Sequence, residues 1–339
     1  MQHPLVAIVI LNYNGRKFLE KFLPSVMAST YPNFKVVVAD NGSTDESVKF
    51  IQTAYPQLEL DQLEKNYGFA EGYNQALLKR DEKYFVLLNS DVEVTSDWIN
   101  PIIDLMEADE QLAVCQPKIL SFKEKDRFEY AGAAGGWIDQ LGYPFARGRV
   151  FDELETDSGQ YNTSKDVFWA SGCALFVKAA VYQRLTGLYG PFFAHQEEID
   201  FCWRAQNAGY KIGCCTQSIV YHVGGGTLPK GHRKTFLNFR NSLMMLSRNL
   251  PAGEKWWKIP TRLVLDGVFA IKCMTQADFT SVRAIWNAHM AYYKWCIRKR
   301  PAGKGPDNRS TAALSGVYKG SLVVQYFLKG KKKFEDFVK

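Results

Sequence analysis

A chain of 339 residues, 46% hydrophobic and 23% charged, has material for one large domain or a domain with a substantial extension, and it is too apolar to be disordered. The net charge of +7 is uneven: residues 250–339 carry 17 Lys/Arg against 6 Asp/Glu, which leaves the first 249 residues at −4. Such a basic tail on a neutral-to-acidic body suits an anionic partner such as phospholipid, nucleic acid or a phosphorylated substrate.

Seven scattered cysteines without a C-x-x-C pair suggest neither a zinc site nor a disulfide framework and suit reduced thiols in a cytosolic protein. The first apolar run, Leu5 to Leu11, is too short for a signal peptide and lacks its basic flank. No run approaches the roughly 18 to 20 apolar residues of a membrane span.

Leu5 to Leu11 (LVAIVIL) reads as a central parallel strand, because a strand covered on both faces is apolar without alternation. Asn12-Tyr13-Asn14-Gly15 turns the chain into a helix to about Ser29, with Phe18, Leu19, Phe22, Leu23 and Val26 as its core face. A second strand, Lys35 to Ala39, ends in Asp40-Asn41-Gly42-Ser43-Thr44-Asp45. Two strand-turn-helix units in succession argue for a doubly wound α/β sheet.

A weaker strand near Leu58 to Leu63 is followed by Asn66-Tyr67-Gly68-Phe69-Ala70-Glu71-Gly72-Tyr73-Asn74. Gly68 and Gly72 there permit close approach of an anion to a helix N-terminus. Phe85 to Leu88 then runs out abruptly into Asn89-Ser90-Asp91. A carboxylate at the carboxyl end of a buried strand is well placed to hold a hard divalent cation against phosphate oxygens; the alternative is a polar turn. A helix from Ser96 to about Ala108 and a strand near Ala113 to Ile119 follow. From Ser121 to about Val167 glycines interrupt every pattern, which predicts an irregular or mobile substrate-binding insertion.

After a strand-like stretch, Phe168 to Val177, comes His195-Gln196-Glu197-Glu198-Ile199-Asp200. Crowded carboxylates repel unless a cation or a proton transfer uses them. On a helix from about Glu198 to Ala208, Asp200 pairs with Arg204 at i,i+4, leaving Glu198 and Glu197 without a local partner. Glu198 is therefore the better candidate for chemistry. Tyr210 to Tyr221 reads as one or two strands ending at His222-Val223-Gly224-Gly225-Gly226-Thr227, where His222 is a candidate metal or phosphate ligand. Phe236 to Leu250 reads as an amphipathic helix whose Arg240 is open to a phosphate contact.

The ordered set VILNYNG, VVADNGSTDES, NYGFAEGYNQAL, LLNSDV, ASGCALFV, EEIDFCWRAQNAGY and YHVGGGT resembles the family 2 glycosyltransferases over roughly Val6 to Asn249, and within them the rhamnosyltransferase-like subgroup. The resemblance implies an α/β, Rossmann-like GT-A fold for nucleotide-diphospho-sugar transfer. Its nucleotide-binding half would span 1–120 and its acceptor and catalytic half 121–250, followed by a mostly helical, basic region over 251–339.

It further implies a nucleotide pocket at Asn12, Tyr13 and Asp40, with Gly68, Asn74, Asn89 and Ser90 beside it. Mg²⁺ or Mn²⁺ would sit at Asp91, the last carboxylate of the family's Asp-x-Asp motif (its first position is Asn89 here), with His222 as a further ligand. Glu198 matches the catalytic base of an inverting transfer, with Asp200 its rival. The donor is expected to be a dTDP-rhamnose or UDP-sugar type, and the acceptor a saccharide or lipid-linked saccharide in bacterial surface-polysaccharide synthesis. Aromatic and basic residues beyond Trp256 suit peripheral contact with an anionic membrane at its cytoplasmic face, or else a packed helical subdomain. The alternatives are a nucleotidyltransferase on a related fold and a non-catalytic nucleotide-sugar-binding protein. No nucleic-acid partner is expected.

Overall fold

The computed structural model describes residues 3–224, 231–298 and 308–338. In chain order the strands are β1 (Val6–Asn12), β2 (Phe34–Asp40), β3 (Glu59–Gln62), β4 (Tyr84–Asn89), β5 (Val92–Val94), β6 (Leu112–Ser121), β7 (Gly136–Asp139), β8 (Pro144–Ala146), β9 (Arg149–Val150), β10 (Glu153–Leu154), β11 (Lys165–Asp166), β12 (Ala174–Lys178), β13 (Lys211–His222) and β14 (Val317–Tyr318). The helices are α1 (Arg16–Met27), α2 (Ser47–Ala54), α3 (Gly68–Leu77), α4 (Asn100–Ala108), α5 (Ala179–Arg184), α6 (Glu197–Asn207), α7 (His232–Asn249), α8 (Ala252–Thr275), α9 (Phe279–Arg298) and α10 (Leu322–Lys329).

The main sheet runs β11-β13-β6-β12-β4-β1-β2-β3, with β5 on β13. Its β3-β2-β1-β4 half is parallel, and β12 enters antiparallel between β4 and β6. Val6 to Ile10 on β1 and Tyr84 to Leu88 on β4 are wholly buried, as apolar runs covered on both faces must be. Register then fixes the ligand end: Asn12 pairs with Asp40, and Leu11 with Asn89, so the polar residues that close β1, β2 and β4 leave the core side by side.

Residues 121–167 differ from the expected irregular insertion. They carry the short strands β7 to β10, which join β14 from the C-terminal region in a second sheet. Its strands are two to four residues long, too short to show a periodicity. This sheet shares the core on one face of the main sheet, with Phe334 edge-on to Trp137 and packed on Phe145, and the Leu322 amide donates to buried Asp139 at 2.8 Å. The C-terminal region is helical through α8 and α9, but its last part returns to the catalytic body. Gly225, Gly226 and Thr227, like Lys299 and Arg300 of the basic run, lie outside the described residues.

Candidate active site

Three strand ends form the donor side. Buried Asn12 donates through Nδ2 to Asp40 (3.0 Å) and to Ser43 (3.2 Å), while the Ser43 amide donates to the other Asp40 oxygen. Asp40 is thereby held rigid at the tip of β2, and Tyr13 stands exposed beside it. Asn41 ties this tip to the next loop by accepting from the Tyr67 amide and donating to the Gly68 carbonyl. Gly68 has φ +79° and lies against Phe193, where a Cβ would come within 2.5 Å of the ring; a side chain is excluded on both grounds. Asn74 serves a different purpose from the one expected. Its side chain donates to the Leu188 carbonyl and accepts from Tyr182 and the Leu188 amide, so its polar groups clamp α3 to the loop that precedes α6.

Asp91 lies just past β4 and is buried, and its Oδ2 has no protein partner. Its Oδ1 is 3.2 Å from His222 Nε2, because β5 pairs with the end of β13 and sets His222 opposite Val92. The other ring nitrogen, Nδ1, lies 3.1 Å from Glu129. Burial opposes charge on both partners, but the pairing prevails: His222 is raised well above its ordinary value and Glu129 is lowered. Among the described residues no three His, Cys, Asp or Glu side chains form a ready-made metal cage. Such a half-site suits a hard cation that takes one or two protein ligands and completes its shell with phosphate oxygens and water. The unpartnered Asp91 oxygen is a ligand of the right chemistry for it, and the His222 imidazole becomes one on giving up the proton that its pairing with Asp91 and Glu129 favours.

The opposite wall is the entry to α6. Asn89 donates its amide to the Cys173 carbonyl, and a Cβ placed on the neighbouring Gly172 would stand 3.7 Å from that of Glu198, so the Asp91 segment and Glu198 flank the same short piece of chain. The approach to α6 is strained. Phe193 sits at φ 65°, ψ −61°, with the Ala194 amide donating to the Phe192 carbonyl, a γ-turn of the rare kind; His195 and Gln196 follow at φ 71° and 75°.

Helix α7 holds this segment in place. Asn241 Nδ2 lies within 3.0 Å of the carbonyls of Phe192, Ala194 and His195, and Arg240 donates to those of Pro191 and Phe192. Arg240 is therefore engaged with backbone rather than left free for a phosphate. Asn241→Leu should keep the fold but release the turn, lowering kcat by about tenfold with a smaller change in KM; steady-state kinetics beside a thermal melt check this.

Four consecutive residues here, His195, Gln196, Glu197 and Glu198, each bury a polar atom without a partner. Buried polar groups are ordinarily satisfied, so such a cluster marks a place where something else binds. Burial drives the Glu198 carboxyl up to about 7, and Glu197 is raised well above its ordinary value by burial and by the charge beside it. Asp200, one turn on, is the opposite case. It is fully buried but takes Arg204 (2.8 Å), Arg248 (3.0 Å) and Asn249 (2.8 Å), which hold its carboxyl below the ordinary value despite burial. Both its oxygens are occupied and its proton affinity is low, which suits a structural anchor.

Two further groups escaped sequence reading because they come from the glycine-broken segment. One is Glu129 behind His222. The other is Arg149, which is buried with its Nε unpartnered, lies over the Tyr130 ring at 4.4 Å, and acts electrostatically on both Glu129 and Glu198.

A parallel half-sheet with polar residues gathered at its carboxyl ends, next to the Glu197 and Glu198 carboxyls at the entry to α6, is the arrangement of a ligand-binding α/β enzyme. The chain belongs to glycosyl transferase family 2, whose family description matches residues 7–185. It is 22% identical over 294 residues to the N-acetylglucosaminyl-diphospho-decaprenol L-rhamnosyltransferase of Mycobacterium tuberculosis, covering 79% of this chain and 91% of that one.

Solved structures share the fold. GalNAc-T7, determined with UDP, GalNAc and Mn²⁺, superposes with a TM-score of 0.58 at 14% identity over 75% of this chain, which spans about half of that chain (49%). Residues 1–349 of Staphylococcus aureus TarS, in complex with UDP-GlcNAc, superpose with a TM-score of 0.55 at 15% identity over 84% of this chain and 80% of that one. The GT-A architecture expected from the motifs is thus present, and the rhamnosyltransferase-like likeness extends past the motifs to most of the chain. The nucleotidyltransferase alternative is set aside.

Proposed function

We propose that this glycosyltransferase moves a sugar of the dTDP-rhamnose or UDP-sugar type from its nucleotide diphosphate to a hydroxyl of a saccharide, or of a lipid-linked saccharide as in the mycobacterial relative, with inversion at the anomeric carbon. The observation that carries this reading is Glu198: a carboxyl at the entry to α6 whose Oε2 is buried without a partner and which burial drives up to about 7, on the other side of the Gly172–Cys173 segment from Asn89. A base near neutrality takes up the acceptor proton as the new bond forms, yet is ionised often enough to act at ordinary pH. Inversion needs one such base on the face of the sugar opposite the leaving diphosphate.

Asn12, Tyr13 and Asp40 would wall the base and ribose, with Asn89 and Ser90 beside the diphosphate. Asp91 and His222 would hold Mg²⁺ or Mn²⁺. When bound, the ion supplies positive charge against the leaving diphosphate. The Asn at position 89 removes one carboxylate from the motif, and buried Arg149 adds a cation near enough to act on both Glu129 and Glu198.

Glu129 would fix the His222 ring, as carboxylates behind ligating imidazoles do. Glu129→Gln should therefore weaken Mn²⁺ binding about 10- to 100-fold in the presence of nucleotide, read by electron paramagnetic resonance of free Mn²⁺. Asp91→Asn should remove the metal-dependent part of the thermal stabilisation by UDP- or dTDP-sugars. A protein that gains the same stability from nucleotide-sugar with and without metal would exclude this site. Donor screening with transfer assays tests the whole reading, since a non-catalytic binding protein would be stabilised by donor and yet release no nucleotide.

A further inference from the structure

Helix α8 is built inside out. Its buried positions are Lys258, Arg262, Asp266 and Cys273. Lys258 bonds Glu254 and Thr311, Arg262 donates to the Leu141 carbonyl and to Ser242, and Asp266 pairs with His289 of α9. The outward stripe is apolar: Val264 is 66% exposed, Val268 57% and Ile271 62%, with Trp256 and Trp257 about two turns before Val264. Helix α9 continues the theme, with Phe279, Trp286 (63% exposed), Tyr293 and Ile297 (79%) at helical spacing on its solvent side. A solvated helix shows the reverse polarity, so these two faces are made to be covered.

The charges set among them choose the cover. Lys272, Arg283, Lys294 and Arg298 are exposed on the same two helices; their two acids, Glu254 and Asp266, are already paired inward, and Asp278 stands in the turn between the helices. A second copy meeting this face about a two-fold axis would bring cations against cations. An anionic bilayer surface matches both the apolar residues and the cations. No helix among the described residues is long and apolar enough to cross a membrane, so the contact lies on the surface.

We infer that the outward faces of α8 and α9 form the docking surface of this enzyme on an anionic lipid bilayer. The surface is joined to the active site through α7. A cleft of about 320 Å³, lined by His232 of α7 and by Thr280, Arg283 and Asn287 of α9, opens beside it, and the next residue, Arg233, lies 4.7 Å over the Phe193 ring of the strained turn. A lipid-borne acceptor would thus reach the catalytic helix from the bilayer side. That acceptor rests on the function proposed above, whereas the membrane contact does not.

The test is flotation of the full chain with vesicles of phosphatidylcholine alone and of phosphatidylcholine mixed with phosphatidylglycerol. The protein should float with the mixed vesicles and stay below with the neutral ones. Val264→Asp with Val268→Asp, at exposed positions where the fold loses little, should lower partition at least about tenfold. Lys272→Gln with Lys294→Gln should lower it roughly 20- to 30-fold, and added salt should mimic them. Both variants should keep the thermal stabilisation by nucleotide-sugar, which shows the fold and donor site intact. No flotation on mixed vesicles, or flotation indifferent to both variants, overturns the inference. So does a concentration-dependent dimer that Val264→Asp with Val268→Asp dissolves, which would give the face to a second copy. Because partition is read without turnover, failure here leaves the transferase reading standing, and a failed transfer assay leaves the docking surface standing.

Discussion

Glu198→Gln is expected to bind donor as the native enzyme does and to lose transfer by about 10²- to 10⁴-fold in kcat, the usual contribution of a general base. The substitution keeps shape and polarity at the N-terminus of α6 and removes only the ability to accept a proton. Native kcat/KM should rise with pH through about 7 and then level, because the unprotonated form is the active one and burial places its titration there. In the variant that limb should vanish, leaving a flat residual rate.

Stability carries a second, opposite signature. A carboxyl whose folded value is raised takes up a proton in the native state that the unfolded chain releases, so the share of stability due to Glu198 declines as pH rises from its ordinary 4.5 to about 7 and is constant above. Glu198→Gln should therefore melt higher than native above pH 7 while being nearly inactive. A variant that retained near-native turnover would remove Glu198 from the role of base. Urea unfolding at two pH values beside single-turnover kinetics separates the two effects.

The sheet and the order of its ligating ends were legible because each depends on short-range pattern. Continuous apolar runs in β1 and β4 read as strands covered on both faces, and polar residues that end such neighbouring strands emerge together. Asp91, His222 and Glu198 could be nominated for the same reason, each being a polar group breaking an apolar element. Glu129 and Arg149 could not, since Glu129 stands on irregular chain beside β6 and Arg149 on a two-residue strand too short to leave a period, in a segment whose glycines read as irregular or mobile. Gly132, Gly135, Gly142 and Gly148 there shape turns of that sheet. Asn74 shows the converse: a polar residue beside a glycine-rich loop suggests a ligand contact, and the structure adds hydrogen bonds to Tyr182 and Leu188, more than a hundred residues further on, that no local pattern foretells. The polarity of α8 was equally hidden, because spacing shows that a helix has two faces but not which one turns inward.

Asp200 was a rival base on sequence grounds, and its surroundings give it a separate expected result. Asp200→Ala should cost about 3 kcal/mol, the lower end of the range for breaking a buried ion pair, because Arg204 and Arg248 keep some access to water and Arg204 also donates to the carbonyls of Leu185 and Gly187. Arg248 stacks on the Tyr189 ring at 3.6 Å, and that hydroxyl accepts from Trp295 of α9, so the loss should loosen the joint between α6, α7 and α9 together. A lower urea midpoint with an unchanged slope would register this as stability lost without a change in compactness.

The pH sign is again fixed by direction. A carboxyl held below its ordinary 3.8 contributes stability that is complete above that value and is lost as pH falls through the folded one. Native protein should lose this share only in strong acid, and the variant should show a shallower acid limb. Activity per folded molecule should fall far less than in Glu198→Gln, since the change acts on how firmly α6 is seated rather than on the proton transfer. If instead Asp200→Ala removed transfer at full stability while Glu198→Gln spared it, the two carboxyls would have to exchange roles, and the geometry of Arg204, Arg248 and Asn249 around Asp200 argues against that outcome.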